Sequence, residues 1–421
     1  MLTLTSLIIA IVAVACAALV SYTTTPPVRL LAFRIGAIDI PTDARRMHKK
    51  PIPRIGGLAI FAGFLVASLV FCEPSAQLFA IWIGGAILVI LGILDDIFRL
   101  PAWIKLIVQL CVAGIAVSFG ILIEHISFFG TQINFGYFSI PITMFWIVGL
   151  SNAINLIDGL DGLSCGISAI TSFSIFMVML ITGDFTSALI TAILTGACLG
   201  FMPYNRNPAK IFMGDTGALF LGYTLSIISV QGLFKLHTML SFLVPISIFA
   251  LPIFDTLIAI IRRVLHGQSP FHPDRGHFHH RLVDMGFSHK EAVKILYAIS
   301  ALMGLVAVTY TDAMFQESAT RIWRTLVLLV AAFAILILIF ICMKKPSTRI
   351  LSGLAAHVSE MRLEADKQER EAKEKAEAEA EALEKAELME KKKRLKENKN
   401  KKKNKAEADE KAEVNEESKD E

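Results

Sequence analysis

Eleven long apolar stretches constrain the fold of this chain more than any other feature of its sequence. Each is long enough, or nearly so, to cross a bilayer as a helix, which takes about 20 residues. The stretches cover 3–20, 55–71, 78–94, 104–123, 139–157, 163–182, 186–203, 211–231, 240–261, 291–310 and 322–343. Hydrophobic residues make up 54% of the chain. The sequence therefore predicts an all-α, polytopic integral membrane protein with about eleven transmembrane helices.

The connections between these stretches alternate in charge. Lys and Arg are concentrated in the first, third, seventh and ninth connections and after the last stretch, whereas the second and fourth connections contain neither. Because basic residues favour cytoplasmic loops, this pattern predicts an amino terminus outside and a carboxyl terminus in the cytoplasm. The first stretch has no basic residue before it, so we expect a retained helix rather than a cleaved signal peptide.

The chain divides by composition into two parts. Residues 1–345 hold the apolar stretches and form the predicted transmembrane domain, whereas 346–421 are rich in Ala, Glu and Lys. From Lys344 to the last residue, acidic and basic residues are equal in number. We expect this tail to be disordered or a single solvated helix without a catalytic role. The charge distribution gives no reason to expect nucleic acid as a partner. The six cysteines are scattered singly, which predicts neither a disulfide framework nor a cysteine metal site.

A ladder of polar residues ends the fifth apolar stretch. Within SNAINLIDGLDGL (151–163), Asn152, Asn155, Asp158 and Asp161 recur at a spacing of three. Residues three apart lie close together on one face of a helix, and the Asp-Gly pairs let the backbone leave helical geometry. Converging carboxylate and amide oxygens suit a hard cation such as Mg²⁺. A capped helix end with a Gly-rich turn is the plainer interpretation, but the number of acids near one membrane edge favours function.

Further charged residues fall at the same predicted edge. Asp95 and Asp96 end the third stretch, Lys105 begins the fourth, and Asp215 stands just inside the eighth, between glycines. An acid at a helix carboxyl terminus opposes the helix dipole unless a cation or proton compensates, and an acid inside an apolar stretch is costly unless it is paired. Lys105 is a candidate phosphate partner, with a snorkelling side chain as the alternative. For Asp255, inside the ninth stretch, a structural role and a functional role remain equally open.

Two basic connections complete the set. The first carries DARRMHKKPIPRIGG (43–57), with His48 and Arg54, and its glycine pair opens the second helix. Exposed N–H groups at a helix start, together with basic side chains, suit a phosphate. The ninth connection (262–290) holds six of the ten histidines of the chain. The number of imidazoles by itself is compatible with a zinc site, but the neighbouring arginines favour a surface that contacts an anion and a sugar.

These features point to Mg²⁺-assisted chemistry on phosphates, because clustered acids lie beside basic groups. The sequence contains no phosphate-binding P-loop pattern. A membrane-embedded site then indicates a lipid phosphate as one substrate. An ion-coupled transporter is the main alternative, but its acids would lie near the midplane, and we find no internal repeat. A scaffold for envelope assembly would leave the acids unexplained.

Taken together, the motifs resemble the polyprenyl-phosphate N-acetylhexosamine-1-phosphate transferase family (glycosyltransferase 4, the MraY–WecA superfamily), and most closely its bacterial WecA type. The resemblance covers 1–345 and rests on HKKPIPRIGG, LDDIF, NAINLIDGLDGL, IFMGDTGALFLG and SPFHPDRGHFHH in this order. Relatives that make the first lipid intermediate of peptidoglycan usually have a Thr-Pro-Thr-Met-Gly-Gly loop and three consecutive histidines. This chain has PIPRIGG and HFHH instead, which favours the WecA type, with phospho-MurNAc-pentapeptide transferase-like chemistry as the alternative.

The resemblance implies an activity, its substrates and a location. It implies transfer of N-acetylglucosamine 1-phosphate, or a related N-acetylhexosamine 1-phosphate, from the UDP-sugar to undecaprenyl phosphate, with release of UMP. It implies Mg²⁺ as the cofactor, with Mn²⁺ as the other candidate, and initiation of an O-antigen-type cell-envelope polysaccharide. It further implies a site on the cytoplasmic face of a bacterial inner membrane, among membrane lipid, and we consider a homodimer as the assembly.

The resemblance also assigns roles to individual residues. It places Asp215 and Asn155 on the metal, and it implies catalytic roles for Asp95, Asp96, Asp158 and Asp161, with Asp96 as the expected base. The residues expected to bind substrate are His48, Arg54, Lys105, Asn152, Arg275, His277, His279 and His280.

Overall fold

The computed structural model describes residues 4–39, 51–128, 131–234, 242–268 and 276–315, and five isolated positions beyond them. The helices α1 to α12 lie within one compact unit, Met1–Ser347. Of the second unit, Thr348–Glu421, the described positions are Ser359 and Lys367, both helical. The predicted properties of the tail therefore stay predictions.

The described chain is built almost entirely of helices, which confirms the predicted fold class. The helices are α1 (Leu4–Ile35), α2 (Gly57–Phe71), α3 (Ala76–Phe98), α4 (Ala102–Ser118), α5 (Ser139–Ile157), α6 (Leu163–Thr182), α7 (Phe185–Asn205), α8 (Gly214–Ile228), α9 (Leu243–Ile248), α10 (Ala250–Leu265), α11 (Phe278–Asp284) and α12 (His289–Phe315). Two antiparallel hairpins interrupt them: β1 (Ile38–Asp39) with β2 (Ile52–Pro53), and β3 (His125–Phe128) with β4 (Thr131–Asn134).

Seven of the described helices are long and apolar enough to cross a membrane, namely α1, α3, α5, α6, α7, α8 and α12. Two shorter apolar helices, α2 and α4, accompany them. Of the predicted stretch 322–343, the structure describes only residues 327, 330 and 331. The chain is thus a multi-pass membrane protein, and the count of eleven spans and the positions of the termini stay predictions.

The predicted limits of two stretches are wrong. The first stretch was expected to end near residue 20, but α1 continues to Ile35 and contains Pro26 and Pro27. The hydroxyls of Thr24 and Thr25 each donate to a backbone carbonyl one turn earlier, both at 2.7 Å, so these polar side chains are satisfied within the helix. The stretch 240–261 is not one helix, because α9 ends and α10 begins around Phe249.

The central helix is α8, in which every residue except Asp215 is buried. Close packing around it depends on small residues. A Cβ on Gly92 of α3 would lie 2.3 Å from Cα of Thr216, and a Cβ on Gly57 would lie 2.0 Å from the backbone nitrogen of Gly217. Small residues at such crossings let helix backbones approach closely within a membrane. The amino-terminal turn of α8 is therefore held between α2 and α3.

The buried apolar side chains form two separate clusters. The main core joins α1 to α8 with parts of α9, α10 and α12. A smaller core, which we call the satellite core, consists of Ile157, Leu160, Leu163, Ile167, Leu251, Phe278, Leu282, Met285, Ala292, Val293, Leu296 and Ile299. The satellite core therefore connects the Gly-rich turn after α5 with α10, α11 and the start of α12.

Candidate active site

One part of the site lies at the corner between α3 and α4. Arg99 ends α3 in a left-handed backbone conformation with a φ of 54°, and Pro101 immediately precedes α4. This tight corner brings Nζ of Lys105 to 3.0 Å from Oδ2 of Asp95. The other oxygen of Asp95 accepts the N–H of Leu100 at 2.7 Å. Lys105 thus supplies the cation that an acid at a helix carboxyl terminus requires.

The first turn of α8 meets this corner. Gly214 begins the helix with a φ of 69°, and a Cβ there would lie 2.0 Å from a carbonyl oxygen just after β2, so the position requires glycine. Oδ2 of Asp215 lies 2.9 Å from Nζ of Lys105 and accepts the side-chain N–H of Asn155 at 3.1 Å. Lys105 therefore bridges Asp215 and Asp95, and the ends of α3, α4, α5 and α8 come together. We call Asp95, Asp96, Lys105, Asn155 and Asp215 the acid cluster.

Asp96 caps α8 from the neighbouring helix. Its Oδ2 accepts the hydroxyl of Thr216 at 2.8 Å and the N–H of Thr216 at 3.3 Å, while its Oδ1 accepts the N–H of Asp215 at 3.3 Å. Nε of Arg54 lies 3.6 Å from Oδ1, and the side chain of Asp96 is only 1% exposed. Both oxygens therefore accept hydrogen bonds from α8, and the expected role of Asp96 as the base stays a prediction.

Arg54 connects the acid cluster to the first hairpin. β1 pairs with β2 so that Asp39 lies opposite Ile52, and the guanidinium of Arg54 lies 4.0 Å from Asp39. The backbone N–H of Arg54 donates to the carbonyl of Ala37 at 3.0 Å. The hairpin therefore holds Arg54 over Asp96. His48 belongs to the connection between the two strands and lies outside the described residues.

The polar ladder of α5 divides among different partners. The side-chain nitrogen of Asn152 donates to Gln109 of α4 at 2.7 Å and to the carbonyl of Val148 at 2.8 Å, so its amide faces α4. Asn155, one position along the ladder, reaches Asp215. Asp158 ends the helix and is half-buried, and no hydrogen bond to its carboxylate occurs among the described residues. Burial and the negative charge of Asp215 raise the pKa of Asp158 to about 8.

Asp161 lies to one side of the acid cluster. Its Oδ2 accepts the side-chain N–H of Asn207 and the backbone N–H of Ala209, both at 3.0 Å. The loop after α7 that contains these donors leads directly to α8, and the N–H of Phe212 donates to the carbonyl of Pro53 at 2.8 Å. Asp161 therefore holds the loop that carries Asp215 to its position. Its predicted catalytic role stays a prediction.

The histidines gather at α11, beside the turn after α5. Asp255 of α10 accepts the backbone N–H of Phe278 at 2.8 Å, and its other oxygen lies 2.9 Å from Nδ1 of His277. The rings of His277 and His279 stack with centroids 5.8 Å apart and planes 7° apart, and His280 lies 4.2 Å from His279 by ring centroids. We call His277, His279 and His280 the histidine face. Arg275 lies outside the described residues.

His279 approaches the turn that carries Asp158. A Cβ on Gly159 would lie 2.2 Å from Nε2 of His279, so the turn can approach the ring only because this residue is glycine. His279 is 2% exposed, and among the described residues its Nε2 has no hydrogen-bond partner. Burial and the nearby His280 lower the pKa of His279 to about 3, so the ring is neutral at pH 7.

The acid cluster suits a divalent cation that is only partly held by protein. In the part of the chain that the structure describes, no group of three or more His, Cys, Asp or Glu side chains forms a ready-made metal site. Mg²⁺, however, commonly binds one or two carboxylates and completes its shell with water and substrate phosphate. Among the described residues, two cations, Lys105 and Arg54, lie near four acids: Asp95, Asp96, Asp158 and Asp215. The acids therefore carry more negative charge than these side chains compensate. The donor set therefore fits a Mg²⁺ ion at Asp215 and Asn155.

Comparison with known proteins assigns this chain to a family. The sequence profile described as glycosyl transferase family 4 matches residues 78–233. A probable undecaprenyl-phosphate N-acetylglucosaminyl 1-phosphate transferase of Bacillus subtilis is 44% identical over 294 residues, which cover 69% of this chain and 81% of the relative. This chain belongs to glycosyl transferase family 4.

Other members of the family are more distant and match a similar share of the chain. A decaprenyl-phosphate N-acetylglucosaminephosphotransferase of Mycobacterium tuberculosis is 36% identical over 331 residues, covering 71% of this chain and 81% of the relative. An undecaprenyl-phosphate alpha-N-acetylglucosaminyl 1-phosphate transferase of Escherichia coli is 31% identical over 317 residues, covering 72% of this chain and 84% of the relative. The family resemblance drawn from the motifs is therefore confirmed.

Sequence reasoning missed several residues that shape this family 4 site. Thr216 donates to Asp96 twice, Gln109 pairs with Asn152, and Asn207 pairs with Asp161. Gln109 carried a usable signal, because it is a polar residue in an apolar helix, one turn after Lys105. The two other residues carried none, since their partners lie far away in the sequence.

Proposed function

We propose that this protein transfers N-acetylglucosamine 1-phosphate from UDP-N-acetylglucosamine to a polyprenyl phosphate. An oxygen of the lipid phosphate forms a bond to the β-phosphorus of the UDP-sugar. The bond from that phosphorus to the oxygen bridging the two phosphates breaks, and UMP leaves with this oxygen. The names of the relatives support both substrates, and the meeting of four helix ends in the acid cluster is the single observation that carries the proposal.

The reaction brings one phosphate anion onto another, so charge compensation is its main requirement. Mg²⁺, or Mn²⁺ as the other candidate, would supply a positive charge to the diphosphate when bound by Asp215 and Asn155. Lys105, held between Asp95 and Asp215 at 3.0 and 2.9 Å, presents an ammonium group at the same place. A preorganised cation of this kind stabilises negative charge that develops on the departing phosphate.

Asp158 is the acid best placed to receive a proton from the lipid phosphate. Asp96 is enclosed by α8 and Arg54, and Asp95 is tied to Lys105 and Leu100. Asp158 is half-buried with a pKa raised to about 8 by burial and by the charge of Asp215. A base with a pKa close to the working pH combines adequate ionisation with adequate proton affinity.

The histidine face would contact the sugar diphosphate. His279 adjoins the turn that carries Asp158, so a donor substrate bound at the acid cluster reaches this face with its sugar. The neutral imidazole of His279 offers one donor and one acceptor, which suits the hydroxyl and acetamido groups of an N-acetylhexosamine. Arg275 and His48 are further proposed contacts of the substrate.

The proposed setting is the cytoplasmic face of a bacterial inner membrane, where the product would begin a cell-envelope polysaccharide. The alternation of basic connections supports this orientation. A transporter is the less favoured alternative, because the acids lie at helix ends rather than along the middle of helices, where a transport site would be expected.

The test is a donor screen with the purified full-length protein. Undecaprenyl phosphate, Mg²⁺ and each of several UDP-sugars, including UDP-N-acetylglucosamine and UDP-MurNAc-pentapeptide, are incubated with the protein, and UMP and lipid-linked sugar are measured. We expect both products from UDP-N-acetylglucosamine, and neither when Mg²⁺ is chelated. UMP released only from UDP-MurNAc-pentapeptide would contradict the proposed donor, and no UMP from any donor would contradict the proposed activity.

A further inference from the structure

A buried carboxylate of α10, that of Asp255, caps the start of α11. Oδ1 of Asp255 accepts the N–H of Phe278, the first residue of α11, at 2.8 Å, and Oδ2 lies 2.9 Å from Nδ1 of His277. Asp255 and His277 are 4% and 5% exposed. His277 occupies the cap position of α11, but its own side chain makes no capping hydrogen bond. The carboxylate from α10 takes this role.

Capping alone does not explain this acid. One acceptor oxygen satisfies the N–H of a helix start, whereas Asp255 commits its second oxygen to an imidazole. A buried carboxylate is costly unless it is fully hydrogen-bonded, and here two donors from consecutive residues satisfy it. The pairing therefore fixes the ring of His277 as well as the backbone of α11.

The carboxylate also decides which nitrogen of His277 carries a proton. An ionised carboxylate can only accept, so Nδ1 of His277 must be the protonated nitrogen. Nε2 lies on the far side of the ring from this carboxylate, and no partner for it occurs among the described residues. Pairing of one imidazole nitrogen with a carboxylate is a common way to orient a functional histidine.

Packing contacts connect the ring of His277 to the rest of the site. The ring of His279 lies parallel to that of His277 at 5.8 Å, and its buried Nε2 faces Gly159. Phe278 and Leu282 of α11 share the satellite core with Ile157 and Leu160, which flank Asp158. A shift of α11 would therefore move the turn that carries Asp158.

We propose that Asp255 is a positioning residue of this transferase, which sets the tautomer of His277 and holds the histidine face against the turn carrying Asp158. Asp255 does not reach the acid cluster itself, so it acts on the reaction through His277. This inference rests on the proposed function, because His277 is a substrate contact only in that scheme.

The decisive variant is Asp255→Asn. Asparagine keeps one oxygen for the N–H of Phe278 but turns an NH₂ group towards Nδ1 of His277, so the ring must carry its proton on Nε2. We expect α11 to stay docked and the unfolding temperature to stay near that of the wild type. We expect kcat/KM for the UDP-sugar, per folded protein, to fall about 100-fold, the upper range seen when the partner of a functional histidine is removed.

A second variant approaches the pair from the other side. His277→Asn retains a side-chain N–H for Asp255 but has no counterpart of Nε2, so it too should fold and lose activity to a similar extent. When Asp255→Asn is added to His277→Ala, the further loss of activity should be less than about twofold, because the effects of residues that act through one contact are not additive.

Asp184→Asn is the matched control, since Asp184 also accepts the N–H of a helix start, at Ser187 of α7. This variant should retain wild-type activity.

Each outcome decides the role of Asp255. Wild-type activity in folded Asp255→Asn or His277→Asn would overturn the proposed positioning role. So would a double variant in which Asp255→Asn lowers activity as much as it does in the wild-type background. A fall in unfolding temperature without any loss of activity per folded protein would show that Asp255 only stabilises α11. A wild-type protein that releases no UMP would contradict the proposed function instead, and it would do so before any variant is compared.

Discussion

The acid cluster and the histidine face are built in opposite ways. The acid cluster lies at the ends of four helices that pack in the main core, and each of three acids already has a partner: Asp95 and Asp215 share Lys105, and Asp96 contacts Thr216 and Arg54. The histidine face lies on α11, a helix of seven residues that packs in the satellite core. There Nε2 of His279 is buried without a partner among the described residues.

This difference indicates that the acid cluster and the histidine face have different roles. The acid cluster is electrostatically arranged before any ligand arrives, as a site for charge compensation should be. In the histidine face, Nε2 of His279 has no partner among the described residues and is available to the proposed sugar donor. The family profile matches residues 78–233, which include the acid cluster but not α11. We therefore expect the acid cluster to determine the reaction and the histidine face to determine how well the sugar donor is held.

The largest expected effect is at the centre of the acid cluster. Asp215→Asn keeps the volume of the side chain but removes the charge shared by Lys105 and the proposed Mg²⁺, so turnover should fall by at least about 1,000-fold. The rate of UMP release by purified folded protein measures this. Asp184→Asn, far from the cluster, should stay at the wild-type rate. An Asp215→Asn variant with a turnover within tenfold of the wild type would show that the acid cluster does not determine the reaction.

The next effect tests the contact between the two regions. Gly159→Ala would place a Cβ 2.2 Å from Nε2 of His279, so the turn and α11 must separate. We expect kcat/KM for the UDP-sugar to fall about 100-fold, as when reacting groups are misplaced by about 1 Å. Gly149→Ala, in the helix that precedes this turn, is the control, because a Cβ there meets nothing within 4 Å, and it should be active.

A double variant sharpens this test. In Gly159→Ala with His279→Ala, the clash is gone, so activity should equal that of His279→Ala alone. A double variant that is much weaker than His279→Ala would show that Gly159 matters for its own backbone and not for its contact with the histidine face.

The pH dependence of the reaction gives an intermediate effect. Burial and the charge of Asp215 raise the pKa of Asp158 to about 8, so at pH 7 this carboxyl is mostly protonated and loses its proton as the pH rises. If the carboxylate is the base, kcat/KM should rise about tenfold between pH 7 and pH 9, the change in the ionised fraction of a group with that pKa. Asp158→Asn should be slow and lack this rise. A rise that persists in Asp158→Asn would assign it to another group.

The smallest expected effect is at Asp161. Both of its hydrogen bonds reach one oxygen, and the side-chain amide of an Asp161→Asn variant would still offer an oxygen to both donors. We expect a loss of about 1 kcal/mol in the free energy of unfolding, because a charged acceptor is replaced by a neutral one, and a loss of activity of about tenfold or less. Thermal unfolding and UMP release measure the two. A loss of activity as large as that of Asp215→Asn would show that Asp161 takes part in the reaction, although it lies to one side of the acid cluster.

Much of this protein could be predicted from its sequence, because the signals are local. Hydropathy along the chain identified the helices, since each apolar stretch must satisfy its own backbone hydrogen bonds within a membrane. The Asp-Gly turn, the paired acids of α3 and Asp215 were identified because acids near apolar stretches are costly and therefore conspicuous. The limits of α1 could not be read in this way, since Thr24 and Thr25 satisfy their hydroxyls within the helix.

Only the tertiary structure decided what each polar atom does. Asp96 and Thr216 are 120 positions apart, and Lys105 and Asp215 are 110 apart, so neither pairing leaves a trace in local sequence. The same holds for Asp255, whose place in an apolar stretch left a structural and a functional role equally open until His277 and Phe278 were found beside it. The sequence by itself determined the helices and the supply of acids, amides and imidazoles, because hydropathy and residue type act locally. Which oxygen binds, caps or stays free was decided by helix packing, because hydrogen bonds depend on distances that only the folded chain defines.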